Sequence, residues 1–143
     1  MSKELNIGLV LPALPGYSET FFYNKIKGLI ENGFRVSLFV ARKVDSEAIR
    51  LSVPIHYQGN INNKLYLLFS FITTCVMHPL ICIRLFKLEM DSHGDWRRSL
   101  KNLIINIHII GKPLDWLHFG FATTALAREN LALAMGIKVA ISF

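Results

Sequence analysis

Two cysteines in 143 residues leave no framework for a disulfide-stapled domain. Cys75 and Cys82 both sit in an apolar run, where a free cysteine behaves as a small buried hydrophobe rather than a metal ligand. Nine glycines and five prolines are too few for a collagenous or low-complexity chain. The motifs G-x-G-x-x-G, G-x-x-x-x-G-K-[ST] and G-x-S-x-G are missing, as is any paired-cysteine zinc spacing. Their absence argues against a typical dinucleotide dehydrogenase, a P-loop enzyme and an α/β-hydrolase. Acid is the scarce charge: ten Asp and Glu stand against sixteen Lys and Arg, a net +6. Such a field favours phosphates, nucleotides or anionic lipid heads. The basic residues are not interleaved with aromatics in any recognisable module, so nucleic acid is not an expected partner. The N-terminus runs straight into a strand pattern without the apolar stretch and small-residue cleavage site of a signal peptide, which predicts a cytoplasmic chain. No internal repeat is detectable.

What the chain does have is a core. A hydrophobic share of 52% exceeds what a disordered chain carries, and the length suits one domain spanning 1–143. Residues 5–11 form a short apolar block closed by Pro12, Pro15 and Gly16, the pattern of a buried parallel strand ending in a sharp turn. Ser18 then reads as a helix N-cap, with Phe22, Ile26, Leu29 and Ile30 at helical spacing until Asn32-Gly33 stops the helix. Residues 35–40 return to strand character, completing a βαβ unit and predicting a parallel sheet. A weak strand candidate follows at 53–57.

Residues 65–83 hold no formal charge, yet include Ser70, Thr73, Thr74, His78 and a central Pro79. They predict a kinked helix, buried or touching a membrane, within a hydrophobic helical insert at 64–110. Residues 91–95 break it, and 96–110 resume as a second helix. Residues 115–119 read as a short strand, 123–135 as an Ala- and Leu-rich helix stopped by Gly136, and 137–143 as a strand with Val139, Ile141 and Phe143 on one face. The expected class is α/β: a Rossmann-like parallel sheet with helices on both faces. Finishing on a buried strand suggests an incomplete domain.

In open parallel sheets ligands bind beyond the carboxyl ends of the strands. Two candidate places result. One is the turn carrying Gly16, Ser18 and Glu19, whose backbone N–H groups suit a phosphate or sugar hydroxyl; the same residues also serve simply as turn and cap. The other is His118-Phe119-Gly120, with a histidine near a strand tip. Arg84, Lys87, Arg97, Arg98 and Lys101 gather around the end of the apolar stretch. They read either as a positive collar facing anionic lipid or as solvated helix faces.

Pro15-Gly16-Tyr17-Ser18-Glu19-Thr20-Phe21, a helix, and then Gly33-Phe34-Arg35-Val36 resemble the opening of family 4 glycosyltransferases of the two-domain GT-B fold. That opening is worded P-x-x-S-E-T-F, helix, G-H-x-V. His118-Phe119-Gly120, the Ala-rich segment, Gly136-Ile137-Lys138 and the closing strand resemble the later H-F-G, helix, G-I-P and strand of the same N-terminal domain. The resemblance implies the acceptor-side half of a retaining enzyme that moves a sugar from a nucleotide donor to a glycan or lipid-linked acceptor, as in surface polysaccharide synthesis. It implies that His118 contacts the donor sugar, and that Gly16, Ser18, Glu19 and Gly120 face the cleft. It implies neither metal nor cofactor, the nucleotide sugar being a substrate. Many relatives carry a second histidine as H-x-H where this chain has Trp116-Leu117, so one histidine role alone transfers. The family's C-terminal domain, with its nucleotide site and spaced glutamates, is missing, which predicts that these residues alone do not catalyse transfer. The alternative is a small flavodoxin-like or membrane-associated binding module without catalysis.

Overall fold

Five apolar segments become strands in the computed structural model, which describes residues 4–13, 20–41, 53–58, 63–126 and 128–142. They are β1 (Asn6–Leu11), β2 (Arg35–Val40), β3 (Ile55–Tyr57), β4 (Trp116–Phe119) and β5 (Lys138–Ile141). The sheet order is β3-β2-β1-β4-β5, and every neighbouring pair is parallel. The chain builds outward from β1 in one direction and then restarts on its other side with β4. The strand order therefore reverses between β1 and β4.

A parallel sheet must be covered on both faces, and alternate residues of each strand serve opposite layers. On one face α1 (Thr20–Glu31) sets Phe22 and Ile26 against Leu9, Leu11, Val36, Leu38 and Val40. The other face presents Val10, Phe39, Leu117 and Phe119. There α3 (Pro79–His93), α4 (Trp96–Asn106) and α6 (Leu131–Met135) bury Leu85, Leu103 and Leu131. The chain is thus an α/β domain of Rossmann-like form.

The apolar stretch is two helices, α2 (Lys64–Met77) and α3, bent by 106° at His78. His78 closes α2 by donating its backbone N–H to the Thr74 carbonyl at 2.8 Å. Pro79 opens α3, where its missing N–H costs nothing. The His78 ring lies directly on the backbone of Gly111, which has φ +78°; a Cβ at that position would overlap the imidazole. Cys82 is buried and Cys75 packs beside it in the same core cluster. Burial, then the neighbouring Cys75, pushes the Cys82 thiol up to about 12, which leaves it unreactive.

The expected helix at 96–110 stops at Asn106, and a series of turns carries Ile107, Ile109 and Ile110 into the core instead. The expected helix at 123–135 is two short pieces, α5 (Ala122–Ala125) and α6. Leu126 leaves helical geometry with ψ 139°, and two polar residues hold the interruption open. Arg128 donates to Gln58 Oε1 at 3.1 Å, and Asn130 donates to Glu89 Oε1 at 3.1 Å. Glu89 is 1% exposed and also accepts from Asn102 Nδ2 at 2.6 Å, with His93 Nε2 at 3.4 Å. This node ties α3, α4 and the approach to α6 together. The closing strand is not buried as expected: β5 lies at the sheet edge with Val139 51% and Ile141 40% exposed. Phe143 and the Ser18 cap lie outside the described residues.

Beyond α4, His108 is mostly withdrawn from solvent. Burial first, then the Arg128 charge, holds its imidazole down at about 3. The folded ring stays neutral while an unfolded one gains a proton below its ordinary value of 6.5. Its contribution to stability is therefore complete above that pH and is lost as pH falls toward 3. Between about pH 7 and about pH 5 the native chain is expected to lose about 2 kcal/mol more than a His108→Gln variant. Urea unfolding at the two pH values measures this, and parallel losses would refute it.

Candidate functional site

The strand order reverses between β1 and β4, and the carboxyl ends of strands at such a reversal are where ligands enter open parallel sheets. The residues that flank it come from distant parts of the chain. Gly120 follows β4 and donates its N–H to the Val10 carbonyl at 3.0 Å. A Cβ on Gly120 would strike the Leu11 side chain and come within 3.0 Å of Phe22. Gly120 therefore serves close packing between β1, β4 and α1, which explains its residue type independently of any ligand. Just beyond, Phe121 packs on Phe22 with ring centroids 5.0 Å apart, and Phe22 meets Phe21 edge-on at 5.3 Å. Phe21 and Phe121 remain 63% and 39% exposed, so aromatic faces are open to solvent at this end of the sheet. Gly16, Ser18 and Glu19 lie outside the described residues.

His118 is the third residue of β4, opposite Leu9 of β1 and Ala140 of β5. Strand alternation turns its side chain to the α1 layer, where it meets two partners that sequence reasoning did not find. Lys25 Nζ lies 2.8 Å from His118 Nε2 and donates to Ser142 Oγ at 2.8 Å, and Ser142 Oγ lies 2.9 Å from the same Nε2. The three polar groups form a closed triangle. Burial, then the Lys25 charge, lowers the His118 pKa and keeps the ring neutral near pH 7. Burial lowers Lys25 as well. With Nε2 accepting from Lys25, the ring proton sits on Nδ1. The arrangement supplies a cation, a neutral imidazole and a hydroxyl, a donor-rich set suited to sugar hydroxyls or a phosphate oxygen. The signals for the missed pair were weak. Lys25 borders the Phe22–Ile26 stripe, and Ser142 stands two residues beyond the partner of His118, a relation visible only once the register is known.

Arg84, Lys87, Arg97, Arg98 and Lys101 are all exposed, on α3 and α4. Arg97 and Lys101 border an apolar groove of about 350 Å³ between α2 and α4, lined also by Leu67, Leu100 and Ile104. A second hollow of about 300 Å³ shares those three apolar residues and extends the groove along α2 to Phe71. The Arg97 guanidinium rests 5.4 Å from the Trp96 ring. Among the described residues, no group of three His, Cys, Asp or Glu side chains is placed to hold a metal ion. No single helix among them is long and apolar enough to cross a membrane; α2 and α3 qualify only as a bent pair. In comparisons with known proteins, no family model, no curated protein and no solved structure matches the chain.

Proposed function

We propose that the chain is the acceptor-side domain of a retaining glycosyltransferase of the two-domain GT-B type. On this reading it moves a sugar from a nucleotide donor to a glycan or lipid-linked acceptor in surface polysaccharide synthesis. One observation carries the proposal: two separated sequence features that resemble family 4 enzymes meet at the strand-order reversal. Phe22, in the segment that follows Ser-Glu-Thr, packs against Phe121, which follows His-Phe-Gly. The parallel pairing of β1 with β4 brings the ends of both features to the side of the sheet where ligands of such folds bind. The role of the domain is positioning, which holds donor and acceptor in attacking geometry. A sugar ring stacks on the exposed Phe121 face, while the Lys25–His118–Ser142 triangle orders its hydroxyls. The nucleotide is held by a second α/β domain.

The same reading makes the domain peripheral to a membrane on the cytoplasmic side. Outward-facing residues of α2 and the start of α3 are large and apolar, and basic side chains border them. A lipid-linked acceptor is met most readily by an enzyme resting on the bilayer that holds it.

The test is His118→Ala in the two-domain enzyme, assayed with labelled nucleotide sugar. A loss of about 10- to 100-fold in kcat/KM is expected, with circular dichroism unchanged. Unaltered turnover in a folded variant would remove His118 from the sugar site.

A further inference from the structure

A polar cavity, of about 510 Å³, lies away from the β1–β4 reversal, between β3, the α2–α3 elbow and the turns that follow α4. His56 and Tyr57 enter it from β3, Thr73 from α2, His78 from the elbow, and His108 and Lys112 from the turns. No carboxylate is among its described lining residues. Among the described residues the basic groups here act on one another without an acid between them. Lys112 faces both His56 and His108, and His108 also feels Arg128. Phe39, wholly buried, carries His56 stacked at 5.0 Å and His108 tilted at 6.0 Å, which fixes both imidazoles relative to the sheet.

Arg128 stands behind this group and is 8% exposed. Its Nη1 reaches the Thr124 carbonyl at 3.3 Å and its Nη2 reaches Gln58 Oε1 at 3.1 Å, both neutral acceptors, while Nε has no partner among the described residues. Withdrawing a guanidinium from water without a counter-charge is costly. A cluster that accumulates that cost beside a roomy, polar cavity with no carboxylate among its described lining residues is arranged for a charge supplied from outside. Four nitrogen-bearing side chains from β3, the elbow and the turns converge there, which suits an anion with several acceptor oxygens.

We propose that this cavity binds a phosphate-type oxyanion, with Lys112 as its charged anchor, His56, His78 and His108 as surrounding donors, and Arg128 adding positive field from behind. The site does not depend on the sugar-transfer reading. The phosphate belongs either to a soluble molecule or to a lipid headgroup reached past α2, and the experiment separates the two.

The experiment follows the histidine ring signals of the 143-residue chain by NMR during addition of inorganic phosphate. In parallel, phosphatidylcholine vesicles are added with and without phosphatidic acid. Saturable shifts of the His56 and His108 signals, with upward movement of their titration midpoints, are expected. Lys112→Gln is expected to weaken the interaction about 10-fold, while the control Lys27→Gln on α1 leaves it unchanged. A response to inorganic phosphate assigns a soluble ligand; a response only to vesicles containing phosphatidic acid assigns a headgroup. No response in either arm overturns the proposal, and so does a response that Lys112→Gln leaves as strong as before.

Discussion

Glu89→Ala is expected to destabilise the chain by about 2 to 4 kcal/mol, the cost of losing a buried acceptor and leaving a void in its place. The carboxylate joins Asn102 of α4 and Asn130 at the start of α6, with His93 beside it. Truncation strands the Asn102 amide donor in a site that is 1% exposed at Glu89, leaves Asn130 with Ser92 Oγ as its acceptor, and also opens a void. Glu89→Leu with Asn102→Leu is expected to recover much of the loss, because it removes acceptor and donor together. Guanidinium unfolding of the single and double variants gives both numbers. A single-variant loss below about 1 kcal/mol would show that the node is not holding the three helical segments together.

The second large effect concerns the apolar arm. Leu65→Glu with Phe69→Glu is expected to weaken binding to anionic vesicles about 100-fold. These side chains are 81% and 69% exposed, and no residue of α2 is buried. Inserting a Leu and a Phe into an interface contributes about 1.5 to 3 kcal/mol each. Losing even one such contribution and adding a charge reaches the roughly 2.7 kcal/mol that a 100-fold change requires. Reversing Arg97 and Arg98 to Glu is expected to act differently. Each basic residue near the surface contributes about 1 kcal/mol, and that part disappears with salt. Co-sedimentation at low and high salt separates the two contributions. A native chain that fails to bind anionic vesicles at low salt would end the peripheral-membrane reading.

The parts of the fold that could be read in the sequence were those specified locally. β1, α1 and β2 each combine an apolar period with a turn or stop residue close by, and the parallel arrangement follows from the βαβ unit. The break at Pro79 was equally plain. The split between α5 and α6 was not, because the local composition favours helix throughout. What interrupts it are bonds from Arg128 and Asn130 to Gln58 and Glu89, partners far away in sequence. The site divides in the same manner. His118 stood out by its place near a strand end, but Lys25 and Ser142 became partners only through the β4–β5 register and the packing of α1. The anion cavity was illegible for the same reason: His56, His78, His108 and Lys112 come from three separate parts of the chain.

The seat of His78 on Gly111 has a structural consequence. The elbow that joins the apolar arm to α3 sits against the Gly111–Lys112 turn, where no side chain at residue 111 could be accommodated. That turn leads through Leu114 to Asp115, which grips Asn6 at the head of β1 by an N–H bond to its carboxylate at 3.0 Å. A short stretch of chain thus runs from the foot of α2 to the head of β1, so that the apolar arm and the first strand share one anchoring turn.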